Sequence, residues 1–133
     1  METLDEYLGR HRVKYFTGDE LARSGSVPRA LWPNMLPTVH LADLLRAAFG
    51  RTTVRSAYRG PRYNERVGGS PNSLHLTFNA LDLAPESGSP DDWRDFLVSL
   101  GVKHSGGLGT YSDFVHLDTR FLVFGRTPAM WVG

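Results

Sequence analysis

The stretch SPNSLHLTFNALDLAP, residues 70–85, sets a histidine and an aspartate seven positions apart among apolar residues. Its reading decides the fold. Positions 75 and 82 differ by an odd number, and alternate residues of a strand face opposite sides. One straight strand therefore cannot aim both side chains at a single point. In the plainer reading, His75 is a core imidazole with a satisfied hydrogen bond and Asp82 closes a strand end. In the sharper one they are two ligands of one metal ion, whose third ligand lies further on. The sharper reading demands a bend or bulge between them, with the regular strand confined to Ala80–Leu83.

The flanks frame that strand. TTVRSAY (52–58) is β-branched and alternating, which predicts a strand. RGPRYNERVGGSPNS (59–73) is dense in Gly, Pro, Asn and Ser and reads as loop. In SPDDWRDFLVSLG, Ser89 is placed as N-cap, Pro90 as the first helical residue, and two acids follow in the first turn. Trp93, Phe96, Leu97 and Leu100 share one face of that helix, and Gly101 closes it. VKHSGGLGTYSDFVHLDTRFLVFG then reads as short strands around a Gly-rich turn, including Phe114–Asp118 and Phe121–Phe124.

Upstream, TGDEL carries a capping box, Thr17 with Glu20, opening a short helix. A longer helix is predicted from Pro37 to Phe49: Leu41, Leu44, Leu45, Ala48 and Phe49 recur on one face, and Gly50 follows as its stop. The expectation is a single α+β domain over residues 1–133. Its helices come first, followed by a mostly antiparallel sheet with one inserted helix.

Composition narrows the function. A chain of 133 residues with 41% hydrophobic residues supports one core. A net charge of +1 with interspersed signs gives no broad phosphate-binding surface, so nucleic acid is not an expected partner. The absence of cysteine excludes disulfides and thiolate metal sites. No apolar run reaches the ~18–20 residues needed to cross a bilayer, and METLDEYLGRHRVKYF has no apolar core of a Sec-type signal peptide.

Of the five histidines, His11, His40 and His104 read as surface, helix-end or turn residues, although His104, just before a Gly-rich segment, could approach a metal or stabilise an oxyanion. His75 and His116 remain. A catalytic zinc site takes three N/O protein ligands and keeps a fourth position open. His75, Asp82 and His116 meet that requirement and leave a net positive centre, which lowers the pKa of bound water toward ~7.

SAYRGPRYN, GGSPNSLHLTFNALD and FVHLD together resemble the M15 zinc peptidases, which include D-alanyl-D-alanine carboxypeptidases, vancomycin-resistance dipeptidases and phage L-alanyl-D-glutamate endolysins. The family motif is SxHxxGxAxD followed by a later histidine; Ser73, His75, Ala80 and Asp82 fall in register, and His116 is the later histidine. The resemblance runs from about Tyr15 to Arg120. It implies a DD-peptidase-like fold, Zn²⁺ on His75, Asp82 and His116, and stem peptides of bacterial peptidoglycan as substrate. Arg59 would hold a substrate carboxylate or polarise the scissile carbonyl, a task suited to the guanidinium fork. Ser73 would bind substrate or orient the His75 loop. The family's general base lies three residues before the second histidine, at Asp113 here. Asp118 competes for that role, or else braces His116 as a strand neighbour. Tyr63 and Asn64 would shape the loop.

Two departures stand out. The motif glycine is Phe78, where the chain must bend and where a positive φ is costly for phenylalanine, so a different local path is expected. SAYR replaces the family's SGYR. By analogy a small domain of this kind acts on the cell wall through phage or prophage lysis, or as a virion component among other virion proteins. The rival expectation is a binding or structural module that keeps the fold, with Phe78 filling the groove.

Overall fold

Helix starts in the first third are fixed by side-chain caps. In the computed structural model, which describes residues 1–133, Thr3 opens α1 (Leu4–Arg10) and Thr17 opens α2 (Gly18–Leu21). Each threonine accepts an N–H of the first turn, and Glu6 or Glu20 returns the bond. A 3-10 helix, Arg29–Met35, runs into α3 (Leu36–Phe49), which ends at Gly50 with φ 89°. The buried stripe of α3 is Thr38, Val39, Ala42 and Leu45. Leu44, expected on the core face, is exposed instead. Buried Asp43 lies beside that stripe and accepts the N–H groups of Lys14 and Tyr15 at 2.8 and 3.0 Å, pinning the N-terminal segment to α3.

Five strands form one sheet: β1 (Thr52–Ser56), β2 (Ala80–Pro85), β3 (Gly107–Thr110), β4 (Val115–Asp118) and β5 (Ala129–Val132). Their order is β1-β2-β4-β3-β5, antiparallel throughout except for the parallel pair β3–β5. The α+β expectation holds. α5 (Pro90–Ser99) begins at the Ser89 cap and buries Trp93 and Leu97, and α6 (Val102–Ser105) follows Gly101. On one sheet face Leu81, Leu83, Leu108, Val115 and Leu117 are fully buried, forming the core with α3 and α5. The pleat turns Asp82, His116 and Asp118 to the opposite face.

Three local expectations are corrected. Within the presumed loop 59–73, Pro61–Arg66 forms a helix, α4, with Pro61 pre-set for its first turn. A helix of six residues is too short for a helical period to show. Phe121–Phe124, read as strand, lies in α7 (Arg120–Phe124). The Asp118 carboxylate accepts the Arg120 N–H at 3.0 Å, turning the chain out of the sheet. Thirdly, the Gly-rich segment is itself part of a strand. A Cβ on Gly106 would strike the Asp118 carbonyl, and one on Gly109 would lie 2.5 Å from the Trp131 ring, so glycine at these two positions lets β3 and the residue that leads into it pass their neighbours closely.

The largest correction is Phe78. It adopts φ 57°, the left-handed conformation that glycine takes most readily, so the bend is made with phenylalanine in place. Its side chain is completely buried in the core, edge-on to Tyr58 with ring centres 6.2 Å apart. Burial of the aromatic ring compensates a backbone strain of roughly 1–2 kcal/mol. Phe78 fills no groove.

Candidate metal centre

Residues 71–78 turn rather than extend, which resolves the odd spacing. Past Phe78, the Asn79 amide donates to the Asn34 carbonyl at 2.9 Å and to Thr119 Oγ1 at 2.8 Å, tying the turn to the segment before α3 and to the end of β4. His75 is buried, and its Nδ1 lies 2.7 Å from the Ala57 carbonyl. A carbonyl can only accept, so a ring hydrogen sits on Nδ1, which leaves Nε2 as the nitrogen turned toward Asp82 on the sheet. The His75 N–H donates to Ser73 Oγ at 3.2 Å, and its carbonyl accepts the Arg59 N–H at 3.0 Å. Ser73 is thus bonded to the backbone of the His75 turn.

Asp82 and His116 are directly paired across β2 and β4. His116 Nδ1 lies 3.1 Å from Asp82 Oδ1, and His75 Nε2 lies 3.4 Å from Asp82 Oδ2. The donor atoms of His75, Asp82 and His116 all fall within 4.8 Å of one another. His116 Nε2 faces Asp118 Oδ2 at 2.7 Å on its other side.

Asp118 is fully buried and heavily bonded. Oδ1 accepts from the Gly107 N–H at 2.8 Å, the Arg120 N–H at 3.0 Å and Arg120 Nε at 3.0 Å; Oδ2 accepts from Arg120 Nη2 at 2.9 Å as well as from His116. Burial by itself would raise the Asp118 pKa, but its hydrogen bonds with His116 and Arg120 outweigh that and hold it well below the usual carboxylate range. Asp82 follows the same pattern, with desolvation opposed and exceeded by hydrogen bonds from His116 and His75. Burial pushes the His116 pKa down, but the two carboxylates push it further up, so the net shift is upward.

This arrangement fits a divalent metal of the zinc type. Two imidazole nitrogens and one carboxylate converge, one imidazole is fixed by a backbone carbonyl and the other by a carboxylate. Asp118 lies on the far side of the His116 ring from Asp82, fully buried. A cavity of 420 Å³ opens over the three donors. Arg59 lines it, with Nε on Ser56 Oγ at 3.0 Å and Nη2 3.8 Å from Asp82 Oδ2. Ser73 lines it too. Asn64 is buried beneath the loop, where its amide donates to the Ser70 carbonyl.

Asp113 is not in the cavity wall. It sits on the turn between β3 and β4, exposed, with its carboxylate 2.7 Å from Arg55 Nη1. His104 is exposed on α6, and His40 is exposed with Nε2 2.9 Å from the His11 carbonyl. Sequence reasoning missed Tyr111, Arg120, Arg126 and Trp131, which complete the wall. Trp131 Nε1 donates to Tyr111 Oη at 2.9 Å, and its ring centre is 5.1 Å from that of His116. Only strand pairing of β5 with β3 brings Trp131 there, and no local pattern announces it.

The family model for Peptidase M15 matches residues 14–118, a span holding all three donors and Asp118. The chain belongs to the peptidase M15 family. No curated protein sequence matches it. As an M15 peptidase it carries a candidate His/Asp/His metal site, and peptides are its expected class of substrate. No helix is long and apolar enough to cross a membrane.

Proposed function

We propose that this M15 protein is a zinc-dependent peptidase acting on short peptides of bacterial peptidoglycan. The observation that carries the reading is the convergence of His75, Asp82 and His116 at the floor of an open cavity rimmed by arginines. A bound Zn²⁺ would supply a Lewis-acid charge that polarises a carbonyl and makes water acidic at neutral pH.

The chain's own residues divide the remaining work. His75 and Asp82 hold the metal from the turn and from β2, while Asp118 keeps His116 oriented through Nε2. Arg59, pre-aligned by Ser56, presents its fork to a carboxylate or carbonyl of the peptide. Asp113 is proposed as the proton acceptor, by its place on the turn three residues before His116. For that role its carboxylate must leave Arg55 and rotate over the cavity mouth. Both partners of the pair are exposed, so releasing it costs little.

The alternative, a binding module whose groove is filled by Phe78, loses its motive because that ring lies in the core. The deciding experiment combines elemental analysis with turnover of purified muropeptides. Zinc near one equivalent and stem-peptide cleavage are expected from the intact protein, and His75→Ala and His116→Ala should lose both. Zinc without turnover would leave a binding role. Metal content unchanged in both variants would dismiss the site.

A further inference from the structure

The family match stops at residue 118, yet three residues that complete the cavity wall, Arg120, Arg126 and Trp131, come after it. Arg120 is committed to Asp118 through both Nε and Nη2. Arg126 has no such commitment. It is exposed, is in no ion pair, and its guanidinium makes one hydrogen bond, a long one of 3.3 Å from Nη1 to the Asn72 carbonyl. Arg126 also lines a second hollow of 630 Å³, bounded by Leu76, Thr77 and Phe124. The two hollows share Asn72, Ser73, Leu74 and Arg126, so they adjoin, with Arg126 between them.

The two cationic groups approach opposite ends of one loop. Arg59 lies against Gly69, where a Cβ would come within 3.0 Å of its Nη1, whereas Arg126 reaches Asn72. The cavity wall holds three arginines against two carboxylates, and both carboxylates are already engaged by histidine or arginine. The surplus is positive and is concentrated where the hollows meet. A peptide laid across the metal with one anionic group at Arg59 would continue past Ser73 and Asn72 toward Arg126.

We propose that Arg126, with the hollow beside Phe124, forms a distal subsite for a carboxylate-bearing residue of the peptide, giving this enzyme a preference for peptides with a second acidic group. The proposal rests on the peptidase reading above. An exposed charge-assisted hydrogen bond of this kind discriminates by about tenfold, and salt should weaken it.

The test uses the zinc-loaded protein and sets of short peptides identical except for Glu, Gln or Lys at one position. Wild type should favour Glu about tenfold in kcat/KM at one position. Arg126→Ala should cleave both members of that pair equally, and Arg126→Glu should favour Lys there. Calorimetric binding of the same peptides to the metal-free protein should show the same Glu/Gln difference and the same loss. A Glu preference that survives Arg126→Ala would overturn the proposal, as would cleavage without preference at any position. If wild type cleaves no peptide, the peptidase reading falls, and the binding comparison alone then decides the subsite: equal Glu and Gln affinities would end it.

Discussion

Replacing Asp118 by asparagine separates a brace from a base. The aspartate accepts five hydrogen bonds at 2.7–3.0 Å from Gly107, Arg120 and His116 while fully buried. An asparagine of the same shape must turn an NH₂ toward one set of donors. If it replaces Oδ1 it opposes the two backbone N–H groups and Arg120 Nε; if it replaces Oδ2 it opposes His116 and Arg120 Nη2. Either way the Arg120 guanidinium, 15% exposed, loses its counter-charge. Breaking a buried pair costs ~3–5 kcal/mol, and the partly solvated arginine places this case near the lower end, about 3 kcal/mol. An unfolding entropy of ~2.1 cal/mol/K per residue over 133 residues converts that to a Tm lowered by roughly 10 °C. Zinc affinity should fall about 10–100-fold as His116 loses its orientation, with activity restored by excess metal. Thermal melts of the metal-free protein and competition with a zinc-binding indicator measure the two effects. Asp113→Asn is the contrast: its exposed ion pair predicts a stability change within ~0.5 kcal/mol, unaltered zinc, and kcat reduced ~10²-fold. Wild-type Tm and chelator resistance in Asp118→Asn would refute the bracing argument. Full activity in Asp113→Asn would remove that residue from the reaction.

Further outcomes follow from the same geometry. Arg59→Lys should lower kcat/KM on stem peptides ~10²-fold with zinc content intact, because an ammonium cannot hold both Ser56 and a planar anion; near-normal kinetics would reduce Arg59 to a loop residue. Phe78→Gly should destabilise by about 3 kcal/mol, the loss of a buried ring (~3–5 kcal/mol) less the relieved left-handed strain (~1–2 kcal/mol). It should bring no gain in activity, and a gain would mean that the ring does obstruct substrate. In the metal-free protein the raised His116 contributes stability that is full below pH ~6.5 and fades as pH rises through its raised pKa. The depressed Asp82 and Asp118 contribute stability that is full above pH ~4 and is lost as pH falls through their lowered values. Metal-free Tm should therefore peak on the acid side of neutrality. Zinc must displace the His116 Nδ1 proton, so its apparent affinity should fall with acidification, accompanied by proton release seen as a buffer-dependent heat. A flat profile would argue against His116 as ligand.

What could be read in advance was set by local chemistry. Capping residues Thr17 and Ser89 announced their helices, and the odd interval from His75 to Asp82 announced a bend. The pairing of Asp82 with His116 depends on strand register between segments over thirty residues apart, which no local pattern encodes. Beyond residue 118 the chain departs from its strand propensity for a physical reason. FLVF has strong strand propensity, but β3 pairs its free edge with β5, and the Asp118 side chain captures the Arg120 N–H and starts a turn. α4 was hidden by the glycines and proline that delimit it. The interval from His116 points to Asp113, but it says nothing about Arg55, whose ion pair holds that carboxylate outside the cavity wall.

Phe78 shows how the two halves of the problem meet. A glycine at this position would let the chain turn and leave the turn loose, since an unstrained glycine holds no particular conformation. Phenylalanine enforces the turn from below: its ring is locked in the core against Tyr58, and the strained backbone persists because the packing over-determines it. Three residues earlier in the same turn, His75 is held above by the carbonyl of Ala57, one residue before Tyr58. The aromatic contact and the ligand's hydrogen bond therefore join the same two segments, residues 57–58 and 75–78, on the two sides of the turn. Slackening the core contact should move the ligand nitrogen before it unfolds the domain, so Phe78→Gly should lower zinc affinity at temperatures where its circular dichroism is still that of wild type. Unchanged zinc affinity in a folded Phe78→Gly protein would show that the Ala57 bond alone fixes the imidazole.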